Sequence, residues 1–436
     1  MSRSPVVIDL TTPTERAFLI ALEPPGDDQW PVERRLAELA ALAETAGATV
    51  VGSTSQRRAA PDPVWYLGRG RAAELADEKA ATDFSVLIVD DELRPNQQRS
   101  LEKLLDCKVL DRSALILDIF ARHATTHEGR LQVELAQLEY HLPRLTRMWT
   151  HLSRTAGGIG TRGPGESQLE TDRRLIRQRI KRVKADLVDV RRQRRTSSRQ
   201  RDRSEIATVA LVGYTNAGKS TLLNALAGSE VFVADMVFAT LDPTARRMAL
   251  PSGQRVVLTD TVGFINKLPH DLVEAFQATL EEVLRADLLV EVVDAADPDF
   301  IAQQITVQAV LDDLGAGDKQ RVTVYNKLDL LDDGTPRPGP APEAEGVAFV
   351  SASQGTGLDG LRAAIERALS AQMVTVNAVI PYGRGDLAAR ARQVGQVTEV
   401  YESAGIRLSG QLPPGVAGEI SAAAGPEPPT RTIPHR

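Results

Sequence analysis

The run Thr208-Val-Ala-Leu-Val-Gly213 leads directly into Tyr214-Thr-Asn-Ala-Gly-Lys-Ser-Thr221, and a helical pattern follows as far as Leu226. This is the pattern GxxxxGK[ST] of a phosphate-binding loop, in its strand–loop–helix context. Its glycines let backbone N–H groups converge on phosphate oxygens, and the helix presents its positive end to them. The stretch therefore predicts an α/β sheet that binds a nucleoside triphosphate.

Nine consecutive positions of this loop are expected to contact the nucleotide. Lys219 is predicted to reach the β and γ phosphates, and the Ser220 hydroxyl to bind Mg²⁺. A glycine-rich turn without a ligand is the alternative, which the flanking strand and helix disfavour. The predicted contacts are Gly213, Tyr214, Thr215, Asn216, Ala217, Gly218, Lys219, Ser220 and Thr221.

A second motif, Asp260-Thr261-Val262-Gly263, follows the apolar strand pattern Val256–Leu258. An acidic residue at the end of such a strand fits the Walker-B role near Mg²⁺, and the N–H of Gly263 is placed to sense the γ-phosphate. Alone, this motif is a common turn, but its position about forty residues after the phosphate loop makes it specific.

Two further motifs predict that the base is guanine. Asn326-Lys327-Leu328-Asp329 follows a strand pattern, and an Asp carboxylate can accept hydrogen bonds from guanine N1–H and the N2 amine. Adenine lacks both donors there, and the unpaired carboxylate would cost about 1–3 kcal/mol. Ser351-Ala352-Ser353 can supply a backbone N–H to guanine O6. In a doubly wound sheet, strand ends of this kind line the ligand crevice.

Changes of pattern along the chain predict its other parts. Residues 1–125 alternate apolar runs with helical patterns, which indicates a small parallel α/β domain. The parts that follow are a helical hairpin at 126–203, the nucleotide-binding domain at 204–370, a small C-terminal α/β domain at 371–424 and a disordered tail at 425–436. The predicted fold class is multidomain α/β, with a doubly wound P-loop sheet at its centre.

Two heptad segments predict that the hairpin is antiparallel. Their apolar positions are Leu131, Leu135, Leu138, Leu142 and Leu145, and then Leu169, Ile176, Ile180, Val183, Leu187 and Val190. The glycines between Gly157 and Gly165 predict a flexible tip, and the polar stretch Thr196–Arg203 predicts a linker. Basic residues crowd the second segment from Arg173 to Lys184. Beside such a tip they indicate RNA contact, although a solvated face is the alternative.

Composition sets broad limits on the class of protein. The net charge is −6, so any nucleic-acid contact must come from a local basic face. Cys107 is the single cysteine, which excludes an intramolecular disulfide and fits a reducing compartment. The first residues lack a long apolar segment, and no later run reaches ~18 apolar residues. We therefore expect a cytoplasmic protein without a membrane span, and we expect it to be monomeric.

The four motifs resemble G1, G3, G4 and G5 of the translation-factor-class GTPases. With the helical hairpin and glycine-rich segment upstream of them, the whole chain closely resembles the HflX family of the Obg–HflX branch. The resemblance implies GTP as substrate, GDP as product, Mg²⁺ as cofactor, and binding to the large (50S) ribosomal subunit and its rRNA. It further implies the rescue or splitting of stalled ribosomes under stress.

The same resemblance implies a switch I segment formed by Phe238, Ala239, Thr240, Leu241 and Asp242. Thr240 would be its Mg²⁺ ligand, and Lys219, Thr240 and Gly263 would be the catalytic residues. Phe264 stands where GTPases of this kind commonly have a glutamine, and a phenyl ring cannot orient a water. An RNA-binding scaffold with a vestigial site is the alternative, which the intact Lys219, Ser220 and Asp329 disfavour.

Overall fold

The structure is a computed structural model that describes residues 14–26, 30–145, 164–202, 206–228, 238, 244–267, 277–331, 339–341 and 344–424. The chain forms two compact units. The first comprises Met1–Val190 with Asp235–Leu241 and Lys267–Gln277, and the second comprises Arg191–Ala234, Asp242–Asn266 and Ala278–Arg436. Each unit contains its own hydrophobic core.

A four-stranded parallel sheet organises the first unit, in the order β2-β1-β3-β4. The strands are β1 (Arg16–Glu23), β2 (Thr49–Arg57), β3 (Val86–Val89) and β4 (Lys108–Asp111). The helices are α1 (Val32–Thr45), α2 (Arg69–Thr82), α3 (Pro95–Leu105) and α4 (Arg112–His123). Strand β3 is buried along its whole length, as expected for a parallel strand that is covered on both faces. The predicted N-terminal α/β fold is confirmed.

Two buried carboxylates lie at the carboxyl edge of this sheet, and both are paired. Asp90 accepts a hydrogen bond of 2.8 Å from Arg112 and lies 3.4 Å from Arg35. Asp111 accepts hydrogen bonds from Tyr140 at 2.9 Å and from Arg144 at 3.0 Å. Burial raises the pKa of Asp90 to about 6, against the opposing effect of nearby cations. The contacts of Asp111 fix the C-terminal end of the first hairpin helix to the sheet.

The hairpin consists of α5 (His127–Arg144) and α6 (Pro164–Asp202). Its seam brings Leu131, Leu135 and Leu138 against Val183, Leu187 and Val190. Arg173 donates to the carbonyl of Leu145 at 2.9 Å, so the end of α5 lies beside the beginning of α6. The predicted linker at Thr196–Arg203 is wrong as far as Asp202, because α6 continues through it. The predicted tip lies, for residues 157–163, outside the described residues.

The second unit contains a six-stranded sheet in the order β10-β9-β8-β5-β7-β6. Its strands are β5 (Thr208–Gly213), β6 (Thr244–Ala249), β7 (Arg255–Asp260), β8 (Leu288–Asp294), β9 (Arg321–Asn326) and β10 (Val347–Phe349). Strand β6 pairs antiparallel with β7, and the other pairs are parallel. The helices are α7 (Lys219–Ala227), α8 (Gln277–Arg285), α9 (Phe300–Asp313) and α10 (Leu358–Ala371). This is the predicted P-loop sheet.

A small C-terminal layer follows α10. Strands β11 (Val374–Ile380), β12 (Gln396–Glu402) and β13 (Gly405–Leu412) form an antiparallel sheet in the order β11-β13-β12. Helices α11 (Gly385–Val394) and α12 (Pro414–Ala423) share one core with this sheet. Across the described ranges, no helix combines the length and the apolar character that a membrane crossing requires.

The hairpin seam can be tested at two adjacent positions of α6. Leu187 is 5% exposed within the seam, whereas the neighbouring Val188 is 64% exposed. We expect Leu187→Ala to cost about 2–3 kcal/mol, because it removes buried methyl groups and leaves a cavity. Val188→Ala should change stability by less than about 0.5 kcal/mol. Urea unfolding followed by circular dichroism checks both, and equal midpoints for the two variants would contradict the seam.

Candidate functional site

The predicted motifs meet at the carboxyl edge of the six-stranded sheet. Gly213 is the last residue of β5, Asp260 the last of β7 and Asn326 the last of β9. Ser351 follows β10 after a single intervening residue. Because these strands run parallel, their ends open onto one crevice, which is the usual ligand position of a doubly wound sheet.

The phosphate loop holds the ammonium group of Lys219 by two backbone carbonyls. Lys219 Nζ donates to Gly213 O at 3.0 Å and to Tyr214 O at 2.7 Å. Burial lowers the pKa of Lys219 to about 8, while the charge of Asp260 acts in the opposite direction. Helix α7 begins at this lysine, so its N-terminal end, where the positive pole of the helix lies, is at the same crevice. The arrangement suits the binding of phosphate anions.

A hydroxyl and a carboxylate lie side by side next to this loop. Ser220 Oγ donates to Asp260 Oδ2 at 2.6 Å, and Asp260 is 1% exposed. Thr261 Oγ1 donates to Leu211 O at 2.7 Å, which fixes the chain as it leaves β7. Oxygen ligands of this kind are the ones that Mg²⁺ prefers. In the described part of the chain, no group of three or more His, Cys, Asp or Glu side chains could hold a metal ion.

The side chain of Asn326 joins three of the motifs. Its Nδ2 donates to Ala217 O in the phosphate loop at 3.0 Å, and its Oδ1 accepts from Ala352 N at 3.0 Å. Gly218 passes so close that a Cβ there would lie 2.4 Å from Asn326 Nδ2. Asn326 is buried, so both of its hydrogen bonds are needed to offset the loss of water.

Asp329 is held in place by the two serines of the last motif. Ser351 Oγ donates to one carboxylate oxygen at 2.6 Å, and Ser353 Oγ donates to the other at 3.0 Å. The Ser351 hydrogen bond, followed by that of Ser353, lowers the pKa of Asp329. The group is therefore ionised near neutral pH, and each oxygen keeps a lone pair for a further donor.

The sequence motifs did not predict one residue that lies at this edge of the sheet. Asp294, the last residue of β8, forms an ion pair of 2.8 Å with Lys327. Lys327 has a φ of +62°, a conformation that few residues other than glycine adopt. Asp294 also accepts a hydrogen bond of 3.0 Å from the N–H of Ala296. Asp294 lies beside β9 because β8 and β9 are neighbours in the sheet, and this strand order cannot be read from the local sequence.

The predicted switch residues are described only in part. Phe264 is 1% exposed, and a buried phenyl ring offers no hydrogen bond to an attacking water. Phe238 belongs to the first unit, where its ring packs edge-on against Phe120 with 4.6 Å between centroids. The expected positions Ala239, Thr240, Leu241 and Asp242 lie outside the described residues.

Comparison with known proteins identifies the family. Sequence models described as "GTP-binding GTPase N-terminal", "GTP-binding GTPase Middle Region" and "50S ribosome-binding GTPase" match residues 33–121, 123–201 and 208–327. The GTPase HflX of Caldanaerobacter subterraneus subsp. tengcongensis is 46% identical over 408 residues, which cover 93% of this chain and 92% of that protein. The GTPase HflX of Escherichia coli K12 is 44% identical over 381 residues, with coverages of 87% and 89%.

The chain belongs to the HflX family of GTPases. It is a GTP hydrolase, as the motif set and the predicted resemblance to HflX indicated. Membership covers the N-terminal domain, the hairpin and the nucleotide-binding domain together, because the matched residues span all three.

The close approach of Gly218 to Asn326 gives a first test of the HflX site. Gly218 has a φ of +91° and no room for a Cβ, whereas Gly228 has a φ of +63° and nothing within 4 Å of such an atom. We expect Gly218→Ala to weaken both GTP and GDP binding by about tenfold or more, because it displaces Asn326. Gly228→Ala carries the backbone strain without the clash and should leave affinity unchanged. Fluorescent-nucleotide titration measures both, and similar affinities for the two variants would contradict the argument.

The held carboxylate of Asp329 gives a second test. Asp329→Asn replaces one acceptor oxygen by an amide donor, which no longer matches guanine but can donate to the xanthine O2. We expect this variant to lose about tenfold or more in GTP affinity and to prefer xanthosine triphosphate. Competition titrations with GTP, XTP and ATP provide the measurement. Unchanged GTP preference in the variant would show that Asp329 does not read the base.

Proposed function

We propose that GTP binding and hydrolysis control the attachment of this protein to the large (50S) ribosomal subunit, and that attachment rescues or splits stalled ribosomes under stress. The matched "50S ribosome-binding GTPase" sequence model supports this assignment. Its main structural support is the exposed basic face of α6, described next. Such an activity would take place in the cytoplasm, and we expect the protein to act as a monomer.

The basic face of α6 divides into paired and unpaired residues. Arg179 forms an ion pair of 2.5 Å with Glu134, and Lys184 one of 2.8 Å with Glu139. Arg173 donates hydrogen bonds to the Leu145 carbonyl oxygen. The exposed side chains that make no ion pair within the described residues are those of Arg174, Arg177, Lys181 and Arg182. Such side chains are available to neutralise RNA phosphates, and binding through them would weaken as salt increases.

The nucleotide site has the parts that phosphoryl transfer needs for charge stabilisation. Lys219 would contact the β and γ phosphates, and Gly263 N–H the γ-phosphate. Ser220 and, by the family resemblance, Thr240 would bind Mg²⁺. The Ser220 and Asp260 oxygens lie side by side, which supports a Mg²⁺ site there. Bound Mg²⁺ would neutralise charge on the phosphate oxygens.

The position after Gly263 carries a side chain that cannot orient the attacking water. Phe264 is buried where a glutamine would help, so unaided hydrolysis should be slow, no faster than roughly 10⁻² s⁻¹. A large ribosomal subunit would order the switches and supply the missing group. A tenfold acceleration requires only about 1.4 kcal/mol of barrier lowering.

Charge reversal on α6 tests the proposed ribosome contact. The double variant Arg174→Glu, Arg177→Glu should weaken cosedimentation with large subunits and reduce its salt dependence by a slope of about two. It should also abolish the stimulation of single-turnover GTP hydrolysis by subunits. Nucleotide affinity should not change, because the substitutions lie outside the nucleotide-binding domain.

The matched control reverses two exposed charges on other helices, Lys103 on α3 and Arg367 on α10, to glutamate. It makes the same change in net charge and should behave as the wild type, while Lys219→Ala serves as the hydrolysis blank. Equal loss of binding in the two double variants would mean that net charge, and not the α6 face, is responsible. Full binding and stimulation in the α6 variant would rule out the contact.

A further inference from the structure

Three hydrogen bonds attach the segment after Gly263 to the phosphate loop. The N–H of Phe264 donates to Gly213 O at 3.1 Å, and Phe264 O accepts from the N–H of Thr215 at 2.7 Å. Two residues later, the N–H of Asn266 donates to the phenolic oxygen of Tyr214 at 2.8 Å. Tyr214 and Phe264 pair as an isolated parallel bridge. The segment around Thr261–Phe264, which is the expected switch II, is therefore bound along the phosphate loop, and the hydrogen bond farthest along the chain is made by a side chain.

Tyr214 contacts both catalytic segments through different atoms. Its backbone carbonyl accepts from Lys219 Nζ at 2.7 Å, while its hydroxyl accepts from Asn266. The side chain is 5% exposed, so packing holds the hydroxyl in place. Removing the hydroxyl would leave the carbonyl contact with Lys219 untouched. The two roles of this residue can therefore be separated by experiment.

Residues 264–266 directly follow Gly263, whose N–H is expected to contact the γ-phosphate. A Cβ on Gly263 would lie 2.8 Å from Thr215 Cα and 3.0 Å from Lys219 Nζ. In the described part of the chain, the N–H of Gly263 donates to no backbone carbonyl outside helices and strands. That N–H is available for a phosphate oxygen. Its position depends on how firmly residues 264–266 are held.

We propose that the Tyr214 hydroxyl is a positioning group for GTP hydrolysis: it accepts the Asn266 N–H and so holds switch II with Gly263 against Lys219. In this role the hydroxyl acts through the Gly263 N–H and needs no contact of its own with the nucleotide or the water. The benefit is confined to the triphosphate, because GDP has no γ-phosphate for Gly263 to contact. This role rests on the GTPase activity and is independent of the ribosome contact proposed above.

The size of the effect follows from one hydrogen bond. Loss of such a bond is worth roughly a three- to tenfold change in an equilibrium or rate. The Asn266 N–H would have to turn to water, and residues 264–266 would sample more conformations. Because positioning within an ångström matters for phosphoryl transfer, most of that loss should appear in the chemical step.

The experiment compares Tyr214→Phe with Tyr382→Phe in the full-length protein, without ribosomal subunits. Tyr214→Phe removes the acceptor oxygen and retains the ring, whereas Tyr382→Phe removes a hydroxyl that donates to Glu402 O at 2.7 Å in the C-terminal layer. For each variant we would measure single-turnover GTP hydrolysis at saturating GTP and Mg²⁺. The affinities for GDP and for a non-hydrolysable GTP analogue would be measured in the same buffer.

We expect Tyr214→Phe to slow hydrolysis roughly three- to tenfold. It should also reduce the preference for the GTP analogue over GDP, with GDP affinity unchanged, and Tyr382→Phe should match the wild type throughout. A parallel loss of GDP and analogue affinity would overturn the proposal, because the hydroxyl would then only support the fold of the loop. Unchanged or faster hydrolysis by Tyr214→Phe would overturn it as well. So would equal slowing by Tyr382→Phe, which would show that the effect does not depend on the contact with Asn266.

Discussion

The buried amide of Asn326 is the contact on which the nucleotide site depends. It donates to Ala217 in the phosphate loop and accepts from Ala352 in the last motif, each at 3.0 Å. These segments are distant in the sequence, and each follows a strand of the same sheet. A primary amide is suited to this position because it offers a donor and an acceptor on opposite sides of one planar group. Phosphate and base recognition are thereby held at a constant distance.

Glycine makes that arrangement possible where the backbone approaches Asn326. Gly218 has both a left-handed φ of +91° and no space for a Cβ, so two independent constraints select the same residue.

Asp329 is a charged group of the site that is positioned by hydrogen bonds. Its carboxylate accepts hydrogen bonds from the hydroxyl groups of Ser351 and Ser353, and these bonds, with the charge of Lys327, lower its pKa. The orientation of the charge that would recognise the base is thus fixed mainly by two neutral hydroxyl groups.

The charged residues of the hairpin fall into two groups. Arg173, Arg179 and Lys184 are engaged with groups on α5 or at its end, so they stabilise the hairpin itself. Arg174 and Arg177 are exposed on the same helix and form no ion pair within the described residues. Exposed ion pairs contribute little to stability, and the apolar seam around Val183 and Leu187 carries most of the packing. The unpaired arginines can therefore serve binding at little cost to the fold.

The sequence by itself determined the motifs of the HflX family and the class of each domain, because these depend on local patterns. A phosphate loop, a helix start or a heptad seam is defined by residues a few positions apart. It also indicated that Phe264 could not orient water. It placed the end of the hairpin helix too early, because the polar composition of residues 196–202 favours a linker and a helix almost equally.

Only the tertiary structure decided which distant side chains meet. Asp294 pairs with Lys327 because β8 lies beside β9 in the sheet, and no local spacing states that order. The hydroxyl of Tyr214 reaches Asn266 because β5 and β7 are neighbours and the chain continues in parallel beyond both. The physical reason is the same in each case. Strand order is set by how apolar faces pack over the whole sheet, and polar contacts at the strand ends follow from it.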